Sequence, residues 1–193
     1  MFLFFDTETT GLPRNWNAPA SDTRNWPRMV QLGCLLYDGN GQLKESRNYI
    51  IKPDGYTIPP GASAIHGITT ERAIKEGKEL SGVLDDFKKL IAQAGQLVAH
   101  NMAFDEKIIG AEYYRISGHD PLSGKPKICT MKDPNVIAYC ALPPFRYGKY
   151  KWPKLSELYY KLFGNYFDEA HDASVDIKAT AESFWELRKR GVI

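Results

Sequence analysis

Three features of the sequence predict an α/β domain, of two or three layers, around a mixed sheet. They are an apolar N-terminal run closing on two acids, a β-rich meander behind it, and a later alternation of amphipathic helices with short apolar strands. The run is Met1-Phe2-Leu3-Phe4-Phe5-Asp6-Thr7-Glu8, and it reads as the central strand. Alternation along a strand puts Asp6 and Glu8 on one face. Residues 11–27 then form an irregular polar and aromatic loop, because prolines at 13, 19 and 27 interrupt any regular element. Residues 30–37 and 49–52 favour strands and flank Asp38-Gly39-Asn40-Gly41. That turn signal joins them as an antiparallel hairpin and completes a three-stranded meander.

Ala64-Ile65-His66-Gly67-Ile68-Thr69 reads as a turn with Gly67 at positive φ and with Ile65 and Ile68 in the core. Leu80, Val83, Leu84, Phe87, Leu90 and Ile91 recur at helical spacing over residues 80–94, and Gly95 closes that helix. Residues 96–99 return as a short apolar strand, with Asp105 just beyond it. Further helical patterns cover residues 104–116, 135–140, 154–163 and 172–190, the last ending at Lys189-Arg190-Gly191. Repeats, linkers and low-complexity segments are absent, so residues 1–193 are expected to form one domain.

With 43% hydrophobic residues the chain can bury a full core without staples. Lys and Arg number 25 against 23 Asp and Glu, a net charge of +2 that excludes a bulk polycation and leaves room for a local basic groove. Cys34, Cys129 and Cys140 show no CxxC pairing, which argues for reduced thiols in an intracellular protein and against a zinc site. The N-terminal run lacks the basic start and the length of a signal peptide. No apolar stretch approaches the roughly 20 residues of a membrane span. The expectation is a cytoplasmic protein without a membrane partner.

The chemistry lies in the acids. Taken alone, Asp6-Thr7-Glu8 is ordinary turn chemistry at a strand end, and Asp105 could cap the helix that follows it. His171 and Asp176 are five apart, roughly 140° around a helix. They can serve one site only if His171 precedes the helix, which Asp172 as N-cap would arrange. Taken jointly, four carboxylates from distant segments would repel one another unless a hard divalent cation such as Mg²⁺ or Mn²⁺ offset their charge.

Asp6-Thr7-Glu8-Thr9-Thr10-Gly11, His100-Asn101-Met102-Ala103-Phe104-Asp105 and His171-Asp172-Ala173-Ser174-Val175-Asp176 resemble, in order and spacing, the three motifs of the DEDDh-type (DnaQ-like) 3′–5′ exonucleases. The resemblance covers nearly the whole chain. It implies a ribonuclease-H-like fold, a five-stranded mixed sheet whose first three strands form an antiparallel meander, flanked by helices. It also implies that Asp6, Glu8, Asp105 and Asp176 hold two divalent ions, with His171 as general base toward the attacking water. Two such ions stabilise both the attacking and the leaving oxygen of an in-line phosphoryl displacement. A near-neutral imidazole suits the base.

For the substrate, the resemblance points to the backbone around Thr7 and Thr9, to His66, and to Asn101 and Phe104 as the seat of a 3′-terminal nucleotide. Phe104 can equally be core. Two further stretches mix cations with flat rings: Arg14, Trp16, Arg24, Trp26 and Arg28 in the first loop, and Phe145-Arg146-Tyr147-Gly148-Lys149-Tyr150-Lys151-Trp152 after Pro143-Pro144. Rings there could stack on bases and cations track phosphates, Tyr150 and Trp152 foremost. A solvated basic loop with rings packed beneath it is the plainer alternative.

The expected partner is a single-stranded nucleic acid with a free 3′ end; a homodimer or a larger DNA- or RNA-processing complex is compatible with the chain. An RNA-trimming exoribonuclease or oligoribonuclease, and a catalytically silent nucleic-acid-binding module of the same fold, stand as the rival functions. Selection of RNA would rest on groups at the 2′-hydroxyl, which the residues do not identify.

Overall fold

β1 (Phe2–Thr9) is the middle strand of five because its apolar residues are buried on both faces. β2 (Met29–Tyr37) and β3 (Leu43–Ile50) follow it antiparallel, while β4 (Gln96–Ala99) and β5 (Lys127–Cys129) add in parallel on its other side, giving the order β3-β2-β1-β4-β5. The computed structural model describes residues 1–145, 149–167 and 172–193.

Helices cover both faces, resolving the expected sheet into three layers. Between β3 and β4 lie α1 (Pro60–His66), α2 (Thr70–Glu76) and α3 (Leu80–Gln93). After β4 come α4 (Met102–Ser117), α5 (Pro134–Cys140), the small pair β6 (Pro144–Phe145) and β7 (Lys149–Tyr150), α6 (Leu155–Phe163) and α7 (Ala173–Lys189). Alternation in β1 sorts the layers. Phe2 and Phe4 pack on Phe184 of α7 at ring separations of 5.3 and 5.2 Å, whereas Phe5 meets Phe87 of α3 edge-on at 5.7 Å. Tyr113 of α4 donates to the Leu84 carbonyl of α3 at 2.6 Å, which places α4 in the same layer as α3. Even-numbered β1 side chains therefore face α7 and odd-numbered ones face α3 and α4.

Several expectations need correction. The third strand spans Leu43–Ile50 rather than residues 49–52; from Leu43 to Asn48 it is exposed except for the half-buried Glu45, as suits an edge strand, and carries no alternating apolar signal. In place of the turn expected over residues 64–69, residues 60–66 form one short helix and Thr69 caps another over residues 70–76. Gly67 does take a positive φ of 72° and ends α1, yet Ile65 is 60% exposed while Ile68 is buried, because the helix turns Ile65 outward. All three cysteines are free, Cys34 and Cys140 buried and Cys129 half-buried. Among the described residues, no helix is long and apolar enough to cross a membrane.

Candidate active site

Asp6 and Glu8 stand on the α7 face of β1 because both are even-numbered, and α7 brings Asp176 to them from its first turn. Ligand oxygens of Asp6, Glu8 and Asp176, all three side chains half-buried, lie within 4.8 Å of one another. Asp105 approaches from the opposite layer. It is buried in the first turn of α4, and its Oδ1 accepts from the Thr7 amide at 3.1 Å and the Thr7 hydroxyl at 2.8 Å. Asn101, not Asp105, is the N-cap of α4.

The crowding shows in the acids' proton affinities. Burial, then the charges of Asp105, Asp176 and Glu8, hold Asp6 well above the usual carboxylate range. Burial and then Asp176, Asp105 and Asp172 push Glu8 up to about 8. Burial raises Asp105 to about 7 against the two Thr7 hydrogen bonds, which pull the other way. Like charges at this spacing hold their protons unless a cation replaces them. An all-oxygen, hard donor set fits a divalent ion of the Mg²⁺ or Mn²⁺ class.

β2 aims α7 at this cluster through Gln31 and Gly33, neither of them among the expected site residues. Gln31 pairs across the ladder with Glu8 and is 2% exposed; its amide donates to Asp172 Oδ1 at 3.0 Å and Asn48 Oδ1 at 2.9 Å, and its carbonyl accepts from the Ala173 amide at 3.3 Å. Gly33 pairs with Asp6, and a Cβ there would stand 2.8 Å from the Ala173 carbonyl oxygen, so only glycine lets the helix start come this close. Asp172 caps α7 as expected, accepting from the Ser174 amide at 2.7 Å. A lone amide in the apolar run 29–37 was the available signal for Gln31. His171 lies outside the described residues.

Among the expected substrate contacts, the Thr7 hydroxyl and amide are both committed to Asp105, and the Thr9 hydroxyl donates to the Gly11 carbonyl at 2.7 Å. His66 is buried, and its Nδ1 accepts from the Ile68 amide at 3.2 Å, which puts the proton on Nε2. Burial lowers its pKa and outweighs the nearby Thr9 backbone, which favours the charged form. Asn101 and Phe104 are half-buried, and Phe104 packs both on the core and on Trp16. Tyr150 and Trp152 are 49% and 54% exposed, with Lys132 Nζ 4.6 Å from the Trp152 ring centre. His100, just after β4, ties this segment to the sheet: Nε2 bonds the Pro153 carbonyl at 3.1 Å and Nδ1 the Thr130 hydroxyl, just after β5, at 3.0 Å. Burial lowers its pKa to about 4, so it stays neutral. Arg146, Tyr147 and Gly148 lie outside the described residues.

The first loop divides. Trp26 is buried and donates to the Pro19 carbonyl at 3.0 Å, and Arg28 pairs at 3.0 Å with Glu112, whose carboxylate is wholly buried and also accepts from the Met29 amide at 2.9 Å. Arg14, Trp16 and Arg24 stay on the surface.

Residues 3–184 match the exonuclease family. No curated protein matches this chain. Among solved structures, E. coli exonuclease I in complex with a dA16 oligonucleotide is 23% identical, with a TM-score of 0.74 over 98% of this chain and 41% of that one. The zinc-ion-bound form of the E. coli exonuclease I complex with single-stranded DNA is 25% identical, with a TM-score of 0.73 over 98% and 40%. A dT13 complex of the same enzyme is 24% identical, at 0.73 over 97% and 40%. This chain spans about two fifths of the length of those proteins. With acidic motifs in order along the chain, three of the acids gathered at one point and a family match across nearly its whole length, the chain belongs to the exonuclease family.

Proposed function

We propose that this chain is a metal-dependent 3′-to-5′ exonuclease that hydrolyses the terminal phosphodiester of a nucleic acid and releases nucleoside 5′-monophosphates. The observation that carries the proposal is the convergence of Asp6, Glu8 and Asp176 within 4.8 Å in a chain of the exonuclease family. Asp6, Glu8, Asp105 and Asp176 would hold two divalent ions, whose chemistry is to polarise the phosphoryl oxygens and to stabilise the attacking and leaving oxygens.

The chain's own residues do the rest. Thr7 orients Asp105, and Gln31 with Gly33 fixes the start of α7 and hence Asp176. The backbone beside Thr7 and Thr9, with His66, Asn101 and Phe104, would seat the terminal nucleotide, and Tyr150 with Trp152 would stack on the unpaired strand. His171, one residue before the α7 cap, is the proposed general base toward the attacking water, and His171→Ala should lower kcat by roughly 10² to 10⁴.

The named ligands of the solved neighbours support an unpaired DNA 3′ end as the first substrate to try. Matched DNA and RNA oligonucleotides, labelled at the 5′ end with the 3′ hydroxyl free or blocked, test direction, sugar and end requirement together under Mg²⁺ or Mn²⁺. A ladder shortening from the free 3′ end is expected, with blocked strands spared. Intact strands under generous Mn²⁺, or internal cuts in blocked ones, would refute the proposal.

A further inference from the structure

We propose that Trp16, flanked by Arg14 and Arg24, is a preformed stacking platform for an unpaired nucleobase 5′ of the scissile linkage, with the two guanidinium groups meeting the adjoining phosphates. This deepens the exonuclease reading and rests on it. Trp16 is 52% exposed, which leaves part of its ring surface open to a ligand. Its ring lies 5.6 Å, centre to centre and tilted by 40°, from that of Phe104. Phe104 is the immediate chain neighbour of Asp105, so the indole stands against the turn of α4 that carries this acid.

Beside it, Arg14, Arg24, Asp22 and Asn25 line an open recess of about 240 Å³. Neither arginine pairs with a carboxylate among the described residues, in contrast to Arg28 and Arg115, both held by Glu112. A flat ring and exposed cations on one loop are the chemistry that recognises single-stranded nucleic acid, the ring taking a base face and the cations the backbone.

The loop is fixed in advance. Asn25 is 8% exposed and grips the residue before Trp16 from both sides, its Oδ1 accepting from the Asn15 amide at 2.7 Å and its Nδ2 donating to the Asn15 carbonyl at 2.9 Å. Arg115 donates to the Thr23 and Trp26 carbonyls at 2.6 and 2.7 Å, and Lys107 to the Ala18 carbonyl at 2.8 Å. An exposed ring on a loop tied to α4 loses little freedom when a base arrives.

The test compares two substrates of the intact protein: a short oligo-dT, which reaches beyond the terminal nucleotide, and the p-nitrophenyl ester of thymidine 5′-monophosphate, which does not. Trp16→Ala should lower kcat/KM on the oligonucleotide about tenfold, and by several-fold more than on the ester. Trp16→Phe should recover most of the loss. Replacing Arg14 and Arg24 together by Ala should flatten the dependence of log Kd on log salt by about 1.4, the value for two phosphate contacts on a single strand. Equal losses on both substrates, or none on the oligonucleotide, would overturn the platform. Should the wild-type protein cleave neither substrate, the exonuclease reading fails by itself. Fluorescence anisotropy of labelled oligo-dT then decides the platform, which is sunk if Trp16→Ala binds as tightly as wild type.

Discussion

Stripping the protein of divalent ions should make its stability fall as pH rises from about 6.5 to 8, and the size of the fall follows from the acid cluster. Glu8 is raised from 4.5 to about 8 and Asp105 from 3.8 to about 7, while burial and the neighbouring acids raise Asp6 in the same direction. In that window the folded chain keeps protons that the unfolded chain has already released. An acid of raised pKa stabilises below its unfolded value and loses that contribution as pH climbs through the folded one. Each carboxyl so held removes about 1.4 kcal/mol per pH unit. For a domain of this size, 1 kcal/mol moves Tm by about 2–4 °C, so one such group gives about 3–6 °C per pH unit. Glu8 is only half-buried and solvent screens it, which favours the lower figure. Below pH 6.5 the buried His100, lowered from 6.5 to about 4, pulls the other way and offsets one of the raised acids, so the fall there is shallower than three acids alone would give. Thermal melts in EDTA at both ends of the window measure the slope. Asp6→Asn should flatten it, separating the cluster from Asp120, which is raised by burial elsewhere. Saturating Mn²⁺ should offset it, adding about 2.7 kcal/mol at a hundredfold excess over Kd, most strongly at high pH where the ligands are free of protons. A metal-free Tm that stays level or climbs between pH 6.5 and 8 would refute the account of the cluster.

Gly33→Ala should lower kcat about a hundredfold, because the new Cβ, 2.8 Å from the Ala173 carbonyl oxygen, must push the start of α7 and with it Asp176; single-turnover rates at saturating Mn²⁺ would show it. Glu112→Ala leaves the paired guanidinium groups of Arg28 and Arg115 and the Met29 amide without their acceptor. The loss should be about 3–5 kcal/mol, or a Tm lower by about 6–20 °C in a thermal melt. Tyr150→Ala with Trp152→Ala should raise the KM for an oligonucleotide without abolishing turnover, as read from initial rates across substrate concentration.

What the sequence made legible was whatever is local and periodic. The apolar run before Asp6 and Glu8, the helical spacing from Leu80 to Ile91, and the Asp172 cap each depend on neighbours within a few positions, and the structure has all three. Hidden from it were short elements and long-range partners. Each of α1 and α2 is only seven residues, about two turns, too short for a 3.6-residue pattern to declare itself against Pro59, Pro60 and Gly61. Glu112 looks like solvent-facing charge on an amphipathic helix until Arg28, 84 positions away, folds over it. The same event sorts the first loop: Trp26 and Arg28 go inward because α4 supplies Lys107 and Glu112 to receive them, and Trp16 stays out against Phe104.

The role of Thr7 shows how a local rule and a distant contact combine at the site. Alternation puts Asp6 and Glu8 toward α7 and therefore obliges the residue between them to face α4. Any side chain there meets the start of that helix. A threonine does so with a donor, and its hydroxyl and amide both bond Asp105, the acid that α4 contributes. The central strand thus holds acids on one face and orients a further one through the other, which ties both helical layers to a single point on the sheet. Asp105 is also the acid whose proton affinity hydrogen bonds visibly restrain, so its ionisation depends on Thr7 in a way that Glu8's does not. The strand's two-residue period, a property of the backbone alone, is what sets Asp105 chemically apart from Glu8.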